Sequence, residues 1–205
     1  MPDSPVSPNV VFQAGTVTRA ERTAATGHTG STVWLTGLSG SGKSTIAIAL
    51  EQLLVRAGSP AYLLDGDNLR HGLNGDLGFD AASRTENVRR AGEVALLFAD
   101  AGVVAIVPLI SPYRVDRDRV RSRHQEMGVP FVEVFIDTPI ELCEQRDVKG
   151  LYAKARAGLI PEFTGVSDPY EVPEHPELAI DTTGVSIDEA VQQILLKLEH
   201  EGYLR

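Results

Sequence analysis

Three runs of almost continuous apolar residues, at 32–36, 103–109 and 131–136, interrupt a chain that is otherwise patterned in helical stripes. Each is too short for a helix and lacks the alternation of a half-exposed strand, so each reads as a strand buried on both faces. Shorter apolar runs at 61–64 and 178–181 supply two more. Between them, apolar positions recur every three or four residues. One stripe is Ile46, Ala49, Leu50, Leu53, Leu54 and Ala57, stopped by Gly58; a second is Val88, Ala91, Ala95 and Ala99, within 84–101. A third, Ile187, Ala190, Val191, Ile194, Leu195 and Leu198, is opened by the capping box Ser186-x-x-Glu189. Ser111-Pro112 predicts a further helix with serine as N-cap and proline at its first position, and Asp137-Thr138-Pro139 opens one through Arg146. Strand and helix alternate to the end, which predicts an α/β fold: a five-stranded parallel sheet with helices on both faces and the ligand loops at one edge.

Two stretches escape this alternation. Residues 1–30 are rich in Pro, Ser, Thr and Gly, with only Val10-Val11-Phe12 as an apolar anchor, and read as a flexible arm preceding a domain over 31–205. Residues 147–176 are punctuated by Gly150, Gly158, Pro161, Gly165, Pro169, Pro173 and Pro176, with a short helical piece at 152–157. So long an excursion in a compact domain reads as a lid.

Composition narrows the function classes. At 205 residues, 42% hydrophobic and 23% charged, the chain suits one soluble domain. A formal net charge of −9 opposes a nucleic-acid or anionic-membrane surface, which needs a clustered positive field. The single cysteine, Cys143, excludes an internal disulfide and fits a reducing compartment. With no apolar run near the ~18 residues of a membrane span and no basic-then-apolar leader, the expected location is the cytoplasm. The five histidines are scattered and read as surface or packing residues rather than a metal set.

The candidate chemistry begins at Gly37-Leu38-Ser39-Gly40-Ser41-Gly42-Lys43-Ser44-Thr45, set between the first strand and the first helical stripe. Glycine, four residues, then Gly-Lys-Ser is a phosphate-binding loop. Its backbone N–H groups curl around phosphate oxygens at a helix N-terminus, Lys43 adds a point charge, and Ser44 offers a hydroxyl to Mg²⁺. The second strand ends in Asp65-Gly66-Asp67, two carboxylates where ligands sit in open α/β sheets. Arg84 and Asn87, three apart, share a face near a helix N-terminus. Arg114, Arg117, Arg119, Arg121 and Arg123, interleaved with Asp116 and Asp118, read as a mostly solvated helix face, Arg114 beside the strand end excepted. The guanine-reading Asn/Thr-Lys-x-Asp of regulatory GTPases is absent, so the nucleotide is ATP, and the negative charge disfavours a translocating ATPase. A small-molecule kinase with a lid remains.

Longer segments carry a specific resemblance. Leu64 through Phe79 (LDGDNLRHGLNGDLGF), Arg84-x-x-Asn87-x-Arg89-Arg90, Ile110-Ser111-Pro112-Tyr113-Arg114, Lys149-Gly150-Leu151-Tyr152, and Phe163-Thr164-Gly165 followed by Asp168-Pro169-Tyr170-Glu171 closely resemble adenylylsulfate (APS) kinases. The resemblance implies transfer of the ATP γ-phosphoryl to the 3′-hydroxyl of APS, giving 3′-phosphoadenylyl sulfate (PAPS) in sulfate assimilation. That reaction needs a carboxylate to accept the hydroxyl proton, which assigns Asp67 as the base and Asp65 to the metal shell through water. These two could exchange roles, or simply cap a turn. Phe79 and Phe163 are implied to sandwich the APS adenine, although core packing is the ordinary fate of either alone. Arg70, Arg84, Asn87, Lys149, Thr164 and the backbone at Ile110 and Ser111 hold the rest of APS. Ser111 aligns with a serine described as a phospho-acceptor in some relatives, yet its position fits an N-cap or substrate ligand equally well, and direct transfer is the expectation. On the ATP side the resemblance points to Arg146 on adenine, unless it is an ordinary helix-end arginine, and to the turn at Thr183, Gly184 and Val185. It further implies a homodimer, with association or fusion to an ATP sulfurylase. The competing readings are another P-loop small-molecule kinase, for shikimate, gluconate or a nucleoside monophosphate, and a non-catalytic nucleotide-binding module.

Overall fold

A computed structural model describes residues 13, 15–147 and 149–204. In chain order the elements are α1 (Arg19–Thr26), β1 (Ser31–Thr36), α2 (Lys43–Arg56), β2 (Ala61–Leu63), α3 (Gly66–Leu69), α4 (Ala81–Asp100), β3 (Val104–Pro108), α5 (Arg114–Glu126), β4 (Phe131–Asp137), α6 (Ile140–Arg146), α7 (Leu151–Arg156), β5 (Leu178–Asp181) and α8 (Ile187–His200). The strands form one parallel sheet in the order β2-β3-β1-β4-β5. This places β1 at the centre, with β3 and β4 on either side, and the strand order reverses beside it. That reversal opens a crevice at the C-terminal ends of the strands.

The buried runs explain the layering. Every residue of β1 is buried, and alternate side chains serve opposite faces. Val33 and Leu35 join a cluster with Ile46, Leu50 and Leu54 of α2 and Ile194 and Leu198 of α8. Trp34 points the other way, to Val88, Ala91 and Ala95 of α4 and Val120 of α5. Each fully buried aliphatic side chain contributes about 1.5–3 kcal/mol relative to exposure, so these two clusters hold the sheet between its helices. The capping box at Ser186 and Glu189 forms as its spacing predicts, with both reciprocal hydrogen bonds. No helix among the described residues is long and apolar enough to cross a membrane.

Three expectations need correction. Within the stretch read as a flexible arm, α1 is a helix with a reciprocal capping box between Thr18 and Glu21, joined to the domain by Arg19 on the Gly128 carbonyl and by Arg22 on Asp100 (2.8 Å). The Val10-Val11-Phe12 anchor lies outside the described residues. Ser111 is not an N-cap: α5 starts later, with Tyr113 at that position, and Ser111 has a left-handed φ of 40°. The arginine run is not one solvated face either. Arg117 is only 1% exposed and paired with Glu133 (2.8 Å), and Arg121 reaches the same carboxylate (2.9 Å).

Candidate active site

The phosphate-binding loop owes its shape to close approaches only glycine permits. Gly37 has φ 150° and a Cβ there would lie 2.6 Å from the Ile136 carbonyl oxygen; Gly40 has φ 75° with the Cys143 carbonyl at 3.0 Å. Gly42 is the left-handed N-cap of α2 and supplies no side-chain cap, so the first N–H groups of the helix face the crevice. Lys43 is buried and donates to the Leu38 carbonyl (2.6 Å) and Ser41 Oγ (3.3 Å). Burial pushes its amine down to about 8. Ser44 donates to Asp65 Oδ2 at 2.9 Å, while Asp65 Oδ1 accepts from the N–H groups of Asp67 and Asn68 at the start of α3. Asp65 therefore caps a turn and faces the loop at once. Asp67 is exposed and its Oδ2 is taken by Lys149.

From this loop a cleft of about 690 Å³ runs along the strand ends. Its lining includes Ser39, Gly40, Gly42, Lys43, Ser44, Thr45, Asp65, Asp67, Arg70, Phe79, Arg84, Asn87, Ile110, Ser111, Lys149, Phe163 and Thr164. The expected donor-side loop and the expected acceptor residues thus share one cavity. Phe79 is 66% exposed, with the Arg70 guanidinium 4.3 Å above its ring, and Arg70 is itself held by the carbonyls of Leu77 (3.0 Å) and Gly78 (2.8 Å). Phe163 is buried against Tyr152, edge to face at 5.0 Å, so packing and cleft lining are both true of it. Asn87 Oδ1 accepts from the buried Asn74 amide (3.0 Å). Arg84 bonds Asp168 (2.5 Å) and the Glu162 carbonyl.

Several expected residues stand apart from the cleft lining. Gly37, Leu38 and Ser41 do not line the cleft, Arg146 bonds the carbonyls of Gly40 (3.4 Å) and Ser41 (3.3 Å), and Thr183 is occupied with Asp181 in the turn after β5, where Gly184 and Val185 follow. Other residues at the site went unpredicted. Tyr152 donates to the Ser39 carbonyl (3.0 Å), Asp147 accepts the first N–H groups of α7, and Tyr113 joins Arg84 on Asp168 (3.0 Å). Tyr152, Phe163, Cys143 and Ala155, with Leu38 and Ile140, make a small core that fastens the 147–176 excursion onto the phosphate loop. The motif Asp168-Pro169-Tyr170-Glu171 carried the only sequence signal for Asp168.

A parallel sheet of this order, a phosphate loop entering α2 and a carboxylate pair beside it define a P-loop phosphotransferase. The particular family follows from comparison: the model of adenylylsulphate kinase matches residues 29–181, and the chain belongs to that family. The adenylyl-sulfate kinase of Penicillium chrysogenum is 53% identical over 206 residues, covering 97% of this chain and 98% of its own. The Mycobacterium tuberculosis APS kinase, solved in complex with AMPPNP and APS, is 54% identical with a TM-score of 0.81, over 84% of this chain and 99% of that one. A hexameric APS kinase from Thiobacillus denitrificans is 46% identical with a TM-score of 0.68, over 91% of this chain and 32% of its own.

Proposed function

We propose that this protein is an adenylyl-sulfate kinase, transferring the γ-phosphoryl of ATP to the 3′-hydroxyl of APS to give PAPS and ADP in sulfate assimilation. The observation that carries the reading is the single cleft in which the phosphate loop meets Asp65 and Asp67 on one side and Phe79, Arg84 and Asn87 on the other. Phosphoryl transfer is chiefly positioning and charge neutralisation. The loop N–H groups and Lys43 hold the donor phosphates, and Asp67 accepts the 3′-hydroxyl proton as the new O–P bond forms and the bond to ADP breaks. Lys149, bonded to Asp67 in this structure, transfers to the APS phosphosulfate and frees the base. Phe79 and Phe163 clamp the APS adenine, and Arg70, Arg84, Asn87, Thr164 and the backbone at Ile110 and Ser111 fix the rest. Arg146 and the Thr183, Gly184 and Val185 turn serve the ATP adenine. The lid over 147–176 keeps water from the γ-phosphoryl.

The Ser44 hydroxyl and Asp65 carboxylate, 2.9 Å apart beside the loop, are the sparse hard-oxygen set that suits Mg²⁺ shared with nucleotide phosphates. When bound, the ion neutralises developing charge on the phosphates. Direct transfer is favoured over a phosphoserine at Ser111. That hydroxyl is buried, accepts Trp34 Nε1–H (3.1 Å) and gives its proton to Thr36 Oγ1 (3.0 Å), with no base beside it. A homodimer, association or fusion with an ATP sulfurylase, and a cytoplasmic setting in keeping with the lone cysteine complete the proposal. Incubation with MgATP and APS should yield PAPS, with shikimate, gluconate and AMP inert. The absence of APS-dependent ADP release would refute the assignment.

A further inference from the structure

The arginine run of α5 contains a side chain with no part in the reaction as described so far. Arg117 is buried, and all three of its nitrogen positions are spent: Nε on Glu133 (2.8 Å), Nη1 on the Ser111 carbonyl (2.6 Å) and Nη2 on the Glu171 carbonyl (2.6 Å). Glu133 is held in turn by Arg121, so the guanidinium sits on a fixed anion rather than being drawn out to solvent. The two carbonyls it gathers belong to different parts of the site. Ser111 lines the cleft wall, and Glu171 closes the 147–176 excursion, its own N–H donating to the Pro112 carbonyl (2.8 Å).

The consequence lies in the peptide planes. The Ile110 carbonyl is tied inward by Thr36 Oγ1 (2.8 Å) and the Ser111 carbonyl by Arg117. In a trans peptide the N–H opposes the carbonyl, so the Ile110–Ser111 unit aims the Ser111 N–H away from the core. The Ser111–Pro112 peptide has no N–H of its own, but holding its carbonyl fixes the other end of Ser111: the left-handed backbone at φ 40°, uncommon for a non-glycine residue, is clamped between two tethered carbonyls, and with it the direction of the Ser111 N–H. Among the described residues neither the Ile110 nor the Ser111 N–H has a hydrogen-bond partner, and both residues line the cleft.

We infer that Arg117 is a positioning residue for the phosphoryl acceptor: by holding the Ser111 carbonyl it keeps Ser111 in the left-handed backbone that presents its N–H to the bound acceptor, and it locks that wall to the end of the lid. The inference rests on the proposed APS kinase activity. A lysine at 117 keeps the charge near Glu133 but cannot span three acceptors in fixed directions.

The test is Arg117→Lys, with Arg117→Gln as a second variant in which Glu133 keeps Arg121. KM for APS is expected to rise at least tenfold, while KM for ATP and turnover at saturating APS each stay within threefold of wild type. MgATP binding without APS, by calorimetry, should stay within twofold. An unchanged KM for APS, or equal rises in both KM values, overturns the role, as does failure of both variants to fold, which makes Arg117 purely structural. Wild-type protein lacking APS-dependent ADP release defeats the proposed activity itself; an active wild type with unaffected variants defeats only the assignment to Arg117.

Discussion

Nucleotide affinity should weaken tenfold between pH 7 and pH 9, because Lys43 has to gain a proton when phosphate arrives. In the unliganded protein the amine is buried behind the loop, hydrogen-bonded to the Leu38 carbonyl and Ser41 hydroxyl, and burial, outweighing the nearby carboxylates of Asp65 and Asp67, brings it down from 10.5 to about 8. A nucleotide phosphate beside the amine favours the charged form and restores a high value. Above pH 8 the free protein holds a neutral lysine and the complex a charged one, so binding takes up close to one proton at pH 9 and about a tenth of one at pH 7. The stability of the unliganded protein moves the opposite way. Between pH 8 and 10.5 the unfolded chain binds more protons at this lysine than the folded one, so unfolding free energy from this group rises with pH, by about 3 kcal/mol over the window. Calorimetric titration with MgATP at pH 7 and 9, in two buffers of different ionisation enthalpy, measures both affinity and proton uptake. The phosphate's own last proton is lost near pH 6 and does not interfere. Lys43→Met should abolish the proton uptake, bind nucleotide weakly, and unfold at pH 7 no more easily than wild type. Affinity that is level from pH 7 to 9, with no proton uptake, refutes the reasoning.

Three further outcomes are expected. Asp67→Asn should lose at least ~100-fold in turnover, the usual span of a general base, and near-wild-type turnover would remove Asp67 from that role. Asp168→Ala removes the Arg84 and Tyr113 contacts at 2.5 and 3.0 Å and should loosen the lid, raising ADP release in the absence of APS; an unaltered background rate counts against Asp168 as a lid anchor. His124 is fully buried, its Nδ1 donating to the Val120 carbonyl (2.8 Å) and its Nε2 accepting from Thr32 (2.9 Å), and burial takes it from 6.5 to about 4. The unfolded chain alone gains this proton as pH falls from 6.5 to 4, so stability is lost in that window, by about 3 kcal/mol. Urea unfolding at pH 7 and 4 should show His124→Gln losing less than wild type by most of that amount, and equal losses would contradict it.

The sheet was legible because its central strands are buried on both faces and therefore uninterrupted in sequence, and the phosphate loop because each glycine answers a backbone demand. Where the core is polar, the same reading failed. The inward side of α5 is Asp116, Arg117, Val120 and His124, spaced as a helix stripe should be, yet only Val120 is apolar. A charge-rich stripe scores as solvent-facing until Glu133, on a strand that otherwise reads as apolar, supplies its partner. Helix α1 was missed for a related reason. It buries none of its side chains, so periodicity is silent, although Thr18-x-x-Glu21 was a capping box in plain view. Ser111 was misjudged because Ser-Pro is ordinarily a helix start. Here the side chain is drawn inward by Trp34 and Thr36, and the carbonyl by Arg117.

These failures share a cause that separates the two halves of the site. The donor half is written in local geometry: glycine conformations and one helix N-terminus within a dozen residues. The acceptor half is assembled by single hydrogen bonds between distant segments, Thr36 to Tyr170, Trp34 to Ser111, Arg84 to Asp168 and Arg117 to Glu171, which have no period and leave no local composition. Such a half can be rearranged by one substitution far from the bound molecule, whereas a change in the loop must meet the phosphates directly. If Arg117 acts as inferred, a residue that never touches the acceptor tunes its binding, because what it holds is the backbone of Ser111 at the cleft wall.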